Sequence, residues 1–288
     1  MQPKPDLVIT AIGGYQWEQI RPYVISLAIS GYTGDKVLLA AGVDEFALEC
    51  ATYRGFKIGR FAVPANTSSW TFTSKQRYIP LLRYLAKHKH EYRYVIWSDA
   101  SDLIFQGNPS EWLERRVEGR TLVAARECWR IKDETTFNLP WVQAAFPEDA
   151  DWLQEQEVLC GGTLAGDAET MFQALSKIFT ITSEHPEYAD QAVLNYVMHK
   201  PFHLQVPTHV YVPSMNQGWT VTCSAFDTEG FKSIIGQPSS ALTDDVPVFD
   251  QGRGLVLTPD GKTPFVIVHQ FNRDADWVRI IPAKFAWD

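Results

Sequence analysis

Three shortages narrow the reading of this 288-residue chain before any motif is considered. No apolar run approaches the roughly 18 residues that a membrane-spanning helix needs. The opening residues, Met1-Gln2-Pro3-Lys4-Pro5-Asp6, lack the basic-then-apolar pattern of a secretory leader, so a cytoplasmic location is expected. Cysteine is scarce and scattered. Cys50, Cys128, Cys160 and Cys223 show no CxxC spacing, which argues against a disulfide framework or zinc site and predicts reduced thiols. Positive charge is the third shortage. With 26 Lys and Arg against 34 Asp and Glu the net charge is -8, which argues against the broad basic face that nucleic-acid binding needs. An acidic protein that binds a polyphosphate must then supply a metal or a local cluster of cations.

The chain also lacks internal repeats, low-complexity tracts and any clear linker, so a single domain over 1–288 is expected. Its 45% hydrophobic and 21% charged residues place it among ordinary globular proteins, neither disordered nor fibrous. Ten tryptophans and eleven tyrosines are many for this size; aromatic faces stack on sugars and bases, although most simply pack.

Strand and helix signals alternate through the first half. Leu7 to Ile12 is a β-prone run stopped by Gly13-Gly14. A helix follows with Pro22 in its first turn and Val24, Leu27 and Ala28 facing inward, closed by Gly31. Val37 to Ala41 is a second strand, Asp44 caps a helix carrying Phe46, Leu48 and Ala51, and Lys57 to Val63 is a third strand. Asn66 to Ser74 is a polar loop with two aromatics, long enough to act as a lid. Pro80 conflicts with starting the next helix at Ser74, so it begins near Ile79 or kinks. Leu122 to Ala125 and Thr163 to Ala165 are further strands. Asp167 caps a helix through Phe179, Tyr188 to His199 is another helix, and Phe265 to Val268 is a late buried strand. From about Phe202 to Thr263 the chain is loop-rich. The β-α-β-α order predicts an α/β fold with a mostly parallel, doubly wound sheet covered by helices on both faces.

The most informative stretch is Tyr94-Val95-Ile96-Trp97-Ser98-Asp99-Ala100-Ser101-Asp102. An apolar run ends in two aspartates three apart, which sets both carboxylates at a strand's C-terminal tip. Ligand sites of open α/β sheets form there. Two acids at one tip repel unless a positive group sits between them, and oxygen-ligated divalent cations suit that place. The plainer alternative is one capping aspartate and one paired with arginine. His269 ends the late strand and adds an imidazole, which tilts the choice toward Mn²⁺ over Mg²⁺. Arg273 follows and either grips phosphate oxygens or forms a surface ion pair. Lys75 and Arg77, ahead of the metal strand, either neutralise a diphosphate or line a solvated helix face. The Thr10-Ala11-Ile12-Gly13-Gly14-Tyr15 turn is not a GxGxxG dinucleotide fingerprint. A base can still stack on Tyr15 while the backbone at Ile12 reads its edge, although a plain tight turn is the simpler account. Gly161-Gly162 allows a ligand close to the backbone. Cys160 has no base motif near it and reads as structural. Asp190 either complements a helix dipole or accepts hydrogen bonds from sugar hydroxyls.

Taken together, "VIWSDASDLIFQGNP", "CGGTLAGDAETMFQAL", "HPEYADQAVLNYV" and "FVIVHQFNRDADW" resemble, in order, blocks of GT-A-fold nucleotide-sugar glycosyltransferases, especially bacterial and viral members distantly related to glycogenin. The resemblance spans about Leu7 to Trp277. It implies a GT-A fold with a donor half over about 1–130 and an acceptor and metal-closing half over about 131–288. It also implies a UDP- or GDP-sugar donor, a glycan or other hydroxyl acceptor, and Mn²⁺ or Mg²⁺ bridging the diphosphate. Asp102 matches the second Asp of the DxD motif, His269 the late metal-ligand histidine, and Asp190 an acid that contacts donor sugar or acceptor, with Gln191 beside it. The first DxD position falls on Ala100, so Asp99 either serves through a small bulge or contacts ribose. Two other classes stay open. A metal-dependent phosphohydrolase with Asp99 as nucleophile would need a downstream Lys and an acidic pair at strand tips, and the best substitute for that pair, Asp244-Asp245, sits in a polar loop. A carbohydrate- or nucleotide-binding module would use the same carboxylates to hold structural Ca²⁺.

Overall fold

The computed structural model describes residues 4–205, 208–223 and 246–286; Asp244 and Asp245 and much of the expected loop-rich stretch lie outside them, as does the side chain of Cys128. Strands β1 (Leu7–Gly13), β2 (Asp35–Ala41), β3 (Phe56–Arg60) and β4 (Tyr94–Ser98) form the parallel part of a seven-stranded sheet. After β5 (Leu103–Phe105) the chain adds β6 (Thr121–Arg130), β7 (Glu157–Asp167) and β8 (His209–Tyr211), giving the order β3-β2-β1-β4-β7-β6-β8. Only β7 runs against its neighbours: β4 and β6 both pair with it antiparallel, and β6 pairs with β8 in parallel. The expected mixed, mostly parallel α/β sheet is what forms.

Alternation of side chains along each strand feeds two cores. Val8, Ile12, Leu38 and Ile96 pack with the helices Trp17–Ile29 and Glu45–Tyr53 on one face. Leu7, Ile9, Val37, Leu39, Val95 and Trp97 pack on the other with the helices Tyr78–His88, Ala168–Glu184 and Asp190–His199. Each such fully buried apolar side chain contributes about 1.5–3 kcal/mol relative to exposure. That packing holds the end of β4 rigidly, which is where the two aspartates begin.

Several local expectations change. Pro22 lies inside its helix, not in the first turn. Phe46 is 58% exposed, because the helix Glu45–Tyr53 turns Ala47, Leu48 and Ala51 inward. Asp44 caps that helix as expected, its Oδ2 accepting from the Ala47 amide at 3.2 Å. The Asn66–Ser74 segment is not loop throughout. It carries a short helix, Ser69–Thr71, that widens into a π turn, Phe72–Gln76, and runs into Tyr78–His88. Wide turns of this kind recur at functional sites.

A second, three-stranded sheet positions the last site residue. β12 (Ile267–His269) lies between β5, antiparallel, and β9 (Thr220–Thr222), parallel. Its register sets His269 opposite Leu103, the residue after Asp102. A small antiparallel ribbon, β10 (Val248–Asp250) with β11 (Leu255–Leu257), completes the strands described. No helix among the described residues is long and apolar enough to cross a membrane.

Candidate active site

The main sheet brings Asp99 against β7. Ser98 pairs with Thr163, and the Asp99 amide donates to the Gly162 carbonyl at 2.8 Å. Asp99, Asp102 and His269 thereby converge, each offering a ligand atom within 4.8 Å of the other two. His269 Nε2 lies 3.5 Å from Asp99 Oδ2 and 3.6 Å from Asp102 Oδ1, and it is buried without a hydrogen-bond partner. Both separations are long for a hydrogen bond, so the nitrogen and the two carboxylates leave a gap between them that a cation would fill. Two hard oxygen donors and one imidazole fit a divalent cation such as Mn²⁺ or Mg²⁺.

The electrostatics of the cluster are uneven. Burial pushes the Asp99 carboxyl up, but Arg77 and His269 outweigh it and hold the group below its ordinary value. Burial, with the charge of Asp99 added, leaves Asp102 raised despite His269 and Arg273.

Arg77 is the structural hub. Its Nη1 donates to Asp99 Oδ1 at 2.6 Å and its Nη2 to Asp190 Oδ2 at 2.8 Å. Its guanidinium carbon lies 4.7 Å from the centre of the Trp97 ring and 5.6 Å from that of Tyr78. Tyr78 also donates to Asp190 Oδ2 at 3.2 Å. Arg77 thus ties Asp99 to the acid at the start of the helix Asp190–His199. That helix is pinned to β7 by Asn195, which accepts from the Leu159 amide and donates to the Leu159 carbonyl. Gln191 Oε1 accepts from the Gly161 amide at 3.2 Å, and Gln191 Nε2 donates to Asn138 at 2.9 Å. The paired glycines are therefore shared between the Asp99-Asp102-His269 cluster and the Asp190-Gln191 step.

A cavity of about 730 Å³ opens beyond the C-terminal ends of β1 to β3, lined by Gly13, Gly14, Tyr15, Gly42, Phe61 and Phe72 among others. Gly14 takes a φ of +70°, and its amide donates to the Ala41 carbonyl, which folds the chain back beneath the opening. Phe61 and Phe72 stack at 6.3 Å. Tyr15 reaches Ser101 Oγ at 3.3 Å and so links the cavity to the Asp99–Asp102 segment. Ile12 points its side chain into the core and does not line the cavity; the two glycines after it do. Lys75 sits in the π turn and makes no ion pair among the described residues. Arg273 is exposed on the short turn Phe271–Arg273, close enough to Asp102 to favour its charge. Gln270, at φ +57°, turns the chain from His269 into that segment.

Two contributors, Asn138 and Phe61, escape a reading of the sequence alone because they carry no motif, and Phe72 shows only as one of the two aromatics of the polar loop. The pairing of Arg77 with two acids links residues far apart in the chain. Glu127 had a usable signal: it is a charged residue continuing the apolar run of β6, and it is 5% exposed.

No protein-family model matches the chain, and no curated protein matches it in sequence. Solved structures do match. The galactosyltransferase LgtC in complex with donor and acceptor sugar analogues aligns with a TM-score of 0.52 at 12% identity, over 91% of this chain and 86% of that one. The chain has a GT-A-like glycosyltransferase fold. An active-site Gln-to-Glu mutant of LgtC gives a TM-score of 0.51 at 12% identity, with the same 91% and 86% coverage. The bifunctional glycosyltransferase WbbM in its apo form gives 0.51 at 13% identity over 76% of this chain, which spans 40% of that WbbM chain.

Proposed function

We propose that this chain is a metal-dependent glycosyltransferase of the cytoplasm, moving a sugar from a nucleoside-diphosphate sugar to a hydroxyl of a glycan or other acceptor. The observation that carries this reading is the convergence of Asp99, Asp102 and His269 beside an aromatic-lined cavity on one side and Asp190 on the other. LgtC, which shares the fold, has been seen with donor and acceptor sugar analogues. In this reading the nucleotide occupies the first half of one catalytic domain and the acceptor meets the second half.

Asp99, Asp102 and His269 would hold the cation, Mn²⁺ or Mg²⁺, which when bound would supply Lewis-acid stabilisation of charge on the leaving diphosphate. The chain's own residues do the rest. Arg273 and Lys75 offer cationic groups to phosphate oxygens. The absence of a Cβ at Gly162 keeps the backbone of β7 close to the ligand. Asp190, its carboxylate oriented by Arg77 and Tyr78, accepts hydrogen bonds from sugar hydroxyls, and Gln191 fixes the sugar or acceptor beside it. The Ser69–Gln76 turn closes over the donor and excludes water from the anomeric carbon.

Calorimetric titration of UDP and of GDP, each with and without Mn²⁺, tests the donor site on the wild type and on Asp102→Ala. The expected result is tight binding of one nucleotide that needs both the metal and Asp102. Absence of nucleotide binding under every condition would overturn the transferase reading and leave a metal-holding module. Tyr15→Ala tests the base position separately. Stacking contributes about 1–3 kcal/mol per base, so nucleotide affinity should fall about 5- to 150-fold with metal binding unchanged. An unaltered nucleotide affinity would move the base elsewhere.

A further inference from the structure

The far side of the His269 ring carries a contact that the proposed function leaves unused. Nδ1 of His269 lies 3.4 Å from Cys160 Sγ, and both residues are buried, at 2% and 1% exposure. The Gly162 amide donates to the same sulfur at 3.4 Å. Two residues along β6 from Ala125, the strand partner of Cys160, stands Glu127, itself buried. The pairing of β6 with β7 shifts register between Arg126 and Arg130, the stretch that carries Glu127, and such irregularities can re-aim a side chain.

A neutral imidazole holds one proton, and which nitrogen carries it decides whether the other can ligate. For Nε2 to offer its lone pair to a cation between Asp99 and Asp102, the proton must sit on Nδ1 and find an acceptor there. Metal-bound histidines usually find a carboxylate or a carbonyl. Here the neighbour is a thiol, which is ambiguous: its sulfur can accept from Nδ1–H, or its S–H can donate to Nδ1 and drive the ring proton onto Nε2. A carboxylate at Glu127 would resolve the ambiguity: offering only accepting oxygens, it would draw the thiol proton toward itself. The sulfur lone pairs are then left to the two N–H donors, His269 Nδ1–H and Gly162 N–H.

Building on the metal-dependent reading above, we propose that Cys160 and Glu127 are positioning residues: a thiol relay that fixes the tautomer and orientation of His269 for metal ligation. Cys160, which by sequence reads as structural only, is thereby placed in service of the metal cluster.

The test measures Mn²⁺ affinity by electron paramagnetic resonance of the free ion, with apo-protein melting temperature as the control for folding. The variants are Cys160→Ala, Cys160→Ser, Glu127→Leu and the Cys160→Ala/Glu127→Leu double. Loss of an outer partner of a ligating histidine typically costs 10- to 100-fold in metal affinity. Cys160→Ala and Glu127→Leu should each weaken Mn²⁺ binding by about that factor, and the double variant should be no weaker than Cys160→Ala, because the two act in one chain. Cys160→Ser, which keeps an accepting and donating atom, should stay close to the wild type. Wild-type Mn²⁺ affinity in Cys160→Ala, or additive losses in the double variant, would overturn the relay while leaving the metal reading intact. A wild type that takes up no Mn²⁺ would instead overturn the metal reading on which the relay rests.

Discussion

Gly162→Ala should abolish metal binding in a protein that still folds. A Cβ at this position would stand 2.2 Å from His269 Cε1, 2.6 Å from its Nε2 and 2.9 Å from Asp99 Oδ2. Contacts that short force a neighbour to move. His269 has little room to move, since the ring is buried, its backbone is held between β5 and β9, and Cys160 backs its far edge. Asp99 is similarly held by Arg77 and by the hydrogen bond its backbone N–H donates to the Gly162 carbonyl. Nε2 and Oδ2 must therefore separate from the positions that make a common site. Overpacking of this kind costs about 1–3 kcal/mol, which a domain of this size survives. Mn²⁺ affinity should fall by more than about 100-fold, beyond what loss of an outer partner costs. Gly161→Ala is the control. Its Cβ would meet only Gln191, at 3.4 Å and beyond, so metal binding should persist. Equal Mn²⁺ affinity in the two variants would mean that the cluster does not hold the metal.

The same glycine shows how far the sequence carried. The Gly161-Gly162 pair announces a close approach of backbone and ligand, but not that the neighbours are a histidine far along the chain and the aspartate that follows β4. Periodicity located β1, β2, β4 and the helix caps at Asp44 and Asp167, because apolar alternation and capping side chains act within a few residues. Asp99, Asp102 and His269 were legible as strand-tip residues for the same reason. What was not legible is what tertiary register decides. The pairing of β12 with β5 and β9 brings His269 beside Asp102, and no local pattern encodes it. The Ser69–Gln76 segment reads as polar loop because its Ser and Thr residues favour turns, yet it continues as helical backbone into Tyr78–His88. Arg77 reads as a phosphate ligand on charge alone. Its two acidic partners come from β4's tip and from the helix Asp190–His199, and only the fold brings those together.

Arg77→Leu should be the most destabilising of the site substitutions, and metal should restore only part of the loss. The guanidinium is the cation between Asp99 and Asp190, and its side chain keeps 8% exposure against 31% and 14% for theirs. Removing one member of a buried ion group strands the remaining charges, at a cost of about 3–5 kcal/mol. The low end applies, because Asp99 retains some water and Tyr78 still donates to Asp190. A loss of about 3 kcal/mol lowers the melting temperature by several degrees or more in a chain of this length. Mn²⁺ should recover the share that belongs to Asp99, since the cation would neutralise that carboxylate, but not the share that belongs to Asp190. Adding Asp190→Asn to Arg77→Leu removes the second stranded charge and should raise stability above the single variant. Scanning calorimetry of wild type, single and double variants, each with and without Mn²⁺, reads these terms directly. A single variant as stable as the wild type, or a double variant less stable than the single, would show that Arg77 does not hold the two acids together.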